Sequence, residues 1–155
     1  MPVVSTFAAA SARALGFLKA GGGGVAGYFS QGNSTTAVYK WAFPADTVST
    51  TTSAPANLLR HAGFADPAVA GYFSQGNSNT TVYKWAFPAD TVSTTTAAPA
   101  TMRNHAGFAD PAVAGYFARG NLSTPVYKWA FPADTVSTTT ASPLGMQRHA
   151  GFADP

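Results

Sequence analysis

The sequence predicts an all-β repeat protein: three units of about 44 residues, each of four short strands, behind a short N-terminal arm. Three observations carry that prediction. From residue 25 onward the chain is one unit written three times, over 25–68, 69–112 and 113–155. Each unit alternates strand-forming runs with clusters of turn residues. Its apolar residues follow a period of two and show no three-four helical spacing, and its Thr, Gly and Pro content disfavours helix.

Composition narrows the classes further. The chain has 155 residues, 46% hydrophobic and 13% aromatic, which excludes a disordered polymer. Its net charge of +3 is dispersed, so no nucleic-acid partner is expected. Zero cysteines exclude a disulfide scaffold, a Cys-based zinc site and a cysteine nucleophile. No apolar run reaches the roughly 18 residues that span a bilayer, so no membrane insertion is expected. Residues 1–20 lack the charged start and long apolar stretch of a secretory signal.

The arm covers residues 1–24. Ser5 and Thr6 are helix caps for an Ala-rich segment over 7–19, with Phe7, Ala10, Ala14, Phe17 and Leu18 on one stripe. Four glycines at 21–24 form a flexible joint. So small an element needs a surface to dock on, and Phe7, Arg13, Phe17 and Leu18 are its docking residues.

The repeat domain covers 25–155. In its first unit VAGYF (25–29) is strand-prone and runs into the turn residues SQGNS. AVYKWAF (37–43) alternates, with Val38, Lys40 and Ala42 on one face and Tyr39, Trp41 and Phe43 on the other, an aromatic face turned inward. Pro44, Ala45 and Asp46 make a tight turn into TVSTTT (47–52), a β-branched strand. A looser loop over 53–59 leads to RHAGFAD (60–66), the fourth strand, and Asp66-Pro67 turns the chain into the next unit. Four strands in such a length is the size of a propeller blade.

The first two units differ at 35/79, 37/81, 53/97 and 57–60/101–104. The third diverges in the same stretches, at Ala118, Arg119, Leu122 and Pro125 and at Leu144, Gly145, Gln147 and Arg148. The strand cores do not change. Loop drift explains this, and so does a ligand-facing surface on a constant scaffold. The polar loop residues Gln31, Asn33, Gln75, Asn77, Arg119 and Asn121 are the binding candidates.

Other chemistry reads as structural. His61, His105 and His149 recur once per unit without a carboxylate at ligand spacing, so they are hydrogen-bonded strand or turn residues rather than a metal circle. Asp46, Asp90 and Asp134, like Asp66, Asp110 and Asp154, sit in turns where aspartate bonds its own backbone. A catalytic carboxylate pair would be asymmetric, and these are repeated in every unit. No metal and no cofactor are expected.

The unit resembles a kelch-type β-propeller repeat. The resemblance rests on GYFSQG, VYKWAFPADTVS and the Arg60 to Gly63 run, over residues 25–155. It departs from that pattern in having single glycines at 32, 76 and 120 and valines at 48, 92 and 136 where a tryptophan is usual. Propellers close with four to eight blades. Three blades therefore imply completion by oligomerisation, as a two-chain six-blade ring or as a fibre-type trimer. A narrower resemblance is to Gly-Tyr-Phe repeat proteins of tailed bacteriophages, notably those of marine cyanobacteria, and the opening PVVSTFAAASARALGFL is similar to leaders of virion proteins. It implies a non-enzymatic virion component (tail fibre, appendage or capsid decoration), made in the host cytoplasm and carried on the extracellular particle. Its partners would be itself, other virion proteins through residues 1–24, and a host-surface glycan. The alternative is a free carbohydrate-binding lectin. A propeller enzyme ranks third.

Overall fold

A computed structural model describes residues 14–15, 25–66 and 69–153. Among these residues there is no helix, and the strands form three antiparallel four-stranded sheets and one two-stranded ribbon. The first sheet contains β1 (Ala14–Leu15), β2 (Val25–Ser30), β4 (Val38–Phe43) and β5 (Thr47–Thr50). β3 (Asn33–Thr35) and β6 (Leu58–Leu59) form the ribbon. The second sheet contains β7 (Gly63–Asp66), β8 (Ala70–Ser74), β9 (Val82–Ala86) and β10 (Thr91–Thr94). The third contains β11 (Ala106–Asp110), β12 (Ala114–Ala118), β13 (Val126–Ala130) and β14 (Thr135–Thr138).

The sheets are out of phase with the sequence repeat. GFAD of one unit does not close its own sheet. It pairs antiparallel with AGYFS of the next unit, with Phe64 opposite Tyr72. Phe108 stands opposite Tyr116 in the same way. The reason is local: the connection from GFAD to GYF is short, whereas a return to the strands of its own unit needs the long 51–62 excursion. For the first sheet the same position is filled by Ala14 and Leu15, opposite Phe29 and Tyr28. These two residues are strand where the sequence predicted helix over 7–19. The other residues of that segment lie outside the described residues.

Within each sheet the register sorts the side chains. Phe73 stands opposite Tyr83, Gly71 opposite Trp85 and Tyr72 opposite Lys84, and the third sheet repeats this with Phe117, Tyr127, Gly115 and Trp129. The glycines leave room for phenylalanine rings: a Cβ on Gly71 would come within 3.2 Å of the Phe87 ring, and one on Gly115 would overlap the Phe64 ring of the second sheet. Phe73 and Trp85 meet edge to face with centroids 5.1 Å apart, and Phe117 and Trp129 do the same. Such pairs contribute roughly 0.5–1.5 kcal/mol beyond the area they bury.

The core lies between sheets. Phe73, Tyr83 and Trp85 pack on Tyr28, Val38 and Leu58 of the first unit. On the opposite face of the second sheet, Phe64, Tyr72 and Val82 pack on Phe117, Tyr127 and Trp129 of the third. The two interfaces are copies of one another: Tyr28 stacks on Phe87 at 5.0 Å and Tyr72 on Phe131 at 5.5 Å. The first strands also approach closely. A Cβ on Gly107 would overlap the backbone of Gly63, so only glycine admits β11 beside β7.

Candidate functional site

The structure joins loops that the sequence separates. Each unit has two variable stretches, about twenty residues apart, and backbone pairing places them side by side. Asn33 pairs with Leu59 and Thr35 with Leu58. The same contact recurs as single bridges, Asn79 with Met102 and Ser123 with Met146. Neighbouring units are then tied together along this edge. The Asn77 amide donates to the Leu59 carbonyl at 2.8 Å, Asn104 to Arg60 at 3.1 Å and Arg148 to Asn104 at 3.0 Å. Gly76 has φ of 68° and lies against the Leu59 carbonyl, so neither its conformation nor its space admits a side chain. The loops therefore form one continuous ridge.

The binding candidates lie on this ridge. Gln31, Asn33, Asn77 and Asn121 are exposed, and Gln75 and Arg119 are half-buried. Arg119 is held by its neighbours: Nε donates to the Thr101 carbonyl at 3.0 Å and Nη1 to Ser123 Oγ at 3.0 Å. Arg103 Nη2 donates to Asn121 Oδ1 at 3.2 Å. A polar patch of units two and three is thus pre-ordered. The arm candidates Phe7, Arg13, Phe17 and Leu18 lie outside the described residues.

The turn aspartates do more than the sequence predicted. Asp46, Asp90 and Asp134 all have positive φ, between 51° and 55°, which aspartate tolerates. The carboxylates of the last two reach into the preceding unit. Asp90 accepts from Tyr28 Oη at 2.5 Å and from Lys40 Nζ at 2.8 Å. Asp134 accepts from Tyr72 Oη and Lys84 Nζ, both at 2.6 Å. Burial first, and then the Asp134 carboxylate, push the Tyr72 phenol well above its ordinary range, so it stays a donor. For Lys40 the hydrogen bond to Asp90 dominates and holds its amine above the ordinary value. Replacing Asp134 by Ala strands the Tyr72 hydroxyl, on a residue with 0% exposure, at an expected cost of about 1–3 kcal/mol. Among the described residues Asp46→Ala removes only a 3.3 Å bond from Trp41 Nε1, and its expected effect, measured where the protein is monomeric, is under about 0.5 kcal/mol. Urea midpoints of the two variants check the contrast, and equal midpoints would refute it.

The histidines are structural where they are buried. His105 Nε2 is hydrogen bonded to Ser74 Oγ at 2.5 Å, and His61 Nε2 makes the same bond to Ser30 Oγ. Both pairs are closed off from substrate, since all four residues are buried. The third unit has Ala118 in the serine position, so His149 has no hydroxyl there and meets the Ala118 backbone instead. Burial, reinforced by the charges of His61 and His149, lowers the His105 pKa to about 3. Among the described residues no cluster of His, Asp or Glu could hold a metal ion, and no helix is long and apolar enough to cross a membrane.

The aromatic stripe of the central strands divides by position. Tyr83, Trp85, Tyr127 and Trp129 are core, as predicted, but Trp41 in the first unit is 37% exposed. No family model and no curated protein matches the chain.

Two features escaped the sequence. The Tyr–Asp–Lys clamp between units links residues 50 and 62 apart, and its only trace was that Tyr, Lys and Asp recur in fixed phase. The union of the two variable stretches had a trace too, since both vary together while everything between them stays constant.

Proposed function

We propose that the chain is a non-enzymatic display scaffold of a phage particle, in a tail fibre, appendage or capsid decoration, with kelch-like sheets as its rigid part. One observation carries the reading: both variable stretches of every unit meet on one ridge, while the aromatic cores beneath them are invariant. Most of the variable positions face outward, the exceptions being the buried Leu58/Met102 and Ser74/Ala118 positions, and such a scaffold is suited to recognition rather than to chemistry at a single centre. The resemblance of the opening PVVSTFAAASARALGFL to virion leaders supports attachment through that end. Particles purified from an infected culture are expected to carry the chain. Removing residues 1–24 is expected to abolish incorporation while leaving the β-type circular dichroism spectrum intact. Incorporation that survives the deletion would refute docking through the arm, and particles lacking the protein would refute the reading as a whole.

The pre-ordered patch at Arg103, Arg119 and Asn121 favours carbohydrate as what the ridge binds. On a glycan array the free protein is expected to retain a subset of glycans, and Arg119→Ala to reduce retention about tenfold, a loss of roughly 1.4 kcal/mol. An array without retained glycans would remove the carbohydrate reading and leave the scaffold reading standing.

A further inference from the structure

The two outer sheets carry the two halves of an interface that the molecule makes twice inside itself. In the internal interfaces, the first partner contributes a tyrosine and a lysine, and the second contributes a phenylalanine, a tryptophan and the turn aspartate. Tyr28 and Lys40 meet Phe87, Trp85 and Asp90, and Tyr72 and Lys84 meet Phe131, Trp129 and Asp134. In the third sheet Tyr116 and Lys128 are arranged in the same way, with the amine 6.0 Å from the ring centroid. No described carboxylate reaches them. Tyr116, Phe108 and Val126 are half-buried, while their counterparts Tyr72, Phe64 and Val82 have 0% exposure.

The first sheet shows the opposite half. Trp41 is 37% exposed, and its counterparts Trp85 and Trp129 have 0% exposure. Phe29 and Tyr39 are half-buried where Phe73, Tyr83, Phe117 and Tyr127 are buried. Val48 is 49% exposed. Among the described residues the Asp46 carboxylate accepts only from the Trp41 indole. The Trp129 indole instead donates to the Thr96 carbonyl of the preceding unit, whose counterpart in the third unit is Thr140.

We propose that copies of this chain associate head to tail, the outer face of the third sheet in one copy docking on the outer face of the first sheet in the next. Tyr116 and Lys128 of one copy would clamp Asp46 of the other, and Trp41 would be covered as Trp85 and Trp129 are. The occupant is a second copy because the required shape and charge are those of the chain's own repeat. A cationic, phenol-bearing face meets an anionic, indole-bearing one in the geometry already realised at Asp90 and Asp134. The contact is heterologous, so each copy keeps one free half. The assembly closes as a ring if the rotation between copies permits and otherwise extends as a filament. This inference rests on the repeat symmetry and not on the virion reading.

The test uses the full chain and light scattering or native mass spectrometry. The wild type is expected to exceed the 15.9 kDa of one chain. Trp41→Glu and Tyr116→Glu, one on each outer face, are each expected to be monomeric with an unchanged circular dichroism spectrum. Mixed, they are expected to form a 1:1 dimer and nothing larger, since only one productive interface remains. A charge exchange supplies a second route. Asp46→Lys and Lys128→Asp separately weaken association at least tenfold, and the two together in one chain restore it. A monomeric wild type overturns the proposal, and that is the result if residues 1–24 cover the first sheet in cis. A variant altered on one face alone that still dimerises also overturns it, because it would reveal a two-fold contact between like faces.

Discussion

Trp85→Ala is expected to destabilise the chain by about 3–5 kcal/mol, and Trp41→Ala, the same substitution one repeat earlier, by less than about 1 kcal/mol when measured at monomer concentrations. The sequence around the two residues is identical, VYKWAFPADTVSTTT in both units. The difference comes from what lies over each ring. Trp85 has 0% exposure, wedged edge to face against Phe73 and covered by the first unit's Tyr28, Val38 and Leu58. Removing it opens a cavity between two sheets that backbone pairing holds at fixed spacing, so collapse cannot fill the hole. Trp41 meets Phe29 at 6.5 Å, but 37% of it faces solvent. Denaturant titrations of the two variants measure both values. A Trp41→Ala cost matching that of Trp85→Ala, at concentrations where the protein is monomeric, would mean that the first sheet's outer face is covered within the chain.

Stability is expected to fall steeply in mild acid because of His105. Its unfolded value is near 6.5 and its folded value is lowered to about 3, chiefly by burial and secondarily by the neighbouring His61 and His149. Between those limits the unfolded chain binds a proton there and the folded chain does not. Stability therefore rises with pH across the window and is lost as pH falls from about 6.5 towards 3. One such group costs roughly 1.4 kcal/mol per pH unit, so about 2–3 kcal/mol is gone by about pH 4.5. His105→Gln keeps a neutral polar group beside Ser74. It is expected to lower stability at neutral pH and to flatten the dependence between about pH 6.5 and 4.5. Urea midpoints at several pH values check this. Equal slopes for the variant and the wild type would show that His105 takes up its proton in the folded state without penalty.

The two predictions share a cause with the limits of reading the sequence. The repeat itself and the aromatic cores of units two and three were legible, because alternation of Tyr83, Trp85 and Phe87 against Val82, Lys84 and Ala86 is a local signal and local sterics set it. But the strand expected to be half-buried has its other face covered as well, with Val82 at 0% exposure under the third sheet. Strand limits were less legible. The loops expected over 31–34 and 53–59 contain the short strands β3 and β6, which exist only because each supplies the other's hydrogen bonds. The helix expected over 7–19 rested on alanine propensity, which a strand edge at Phe29 and Tyr28 overrides at Ala14 and Leu15.

The binding candidates were found as separate loop residues, and their union on one ridge was not. Pairing between positions about twenty residues apart leaves no trace in composition or period. The turn positions of Asp90 and Asp134 were read from the sequence but their reach between units was not, for the same reason: an aspartate in a turn has a sufficient local explanation, and its bond to a tyrosine 62 residues earlier leaves no local sign.

Short windows of the chain are enough to specify an all-β array of three like units, with repeated aromatic strands and two variable stretches in each. In such windows backbone sterics and side-chain alternation decide. Packing between units sets the rest: GFAD belongs to the following sheet, the loops make one edge, and identical residues are core in one unit and surface in another. A residue's burial depends on which neighbour covers it, and in an array of identical units that is a matter of position rather than of residue type.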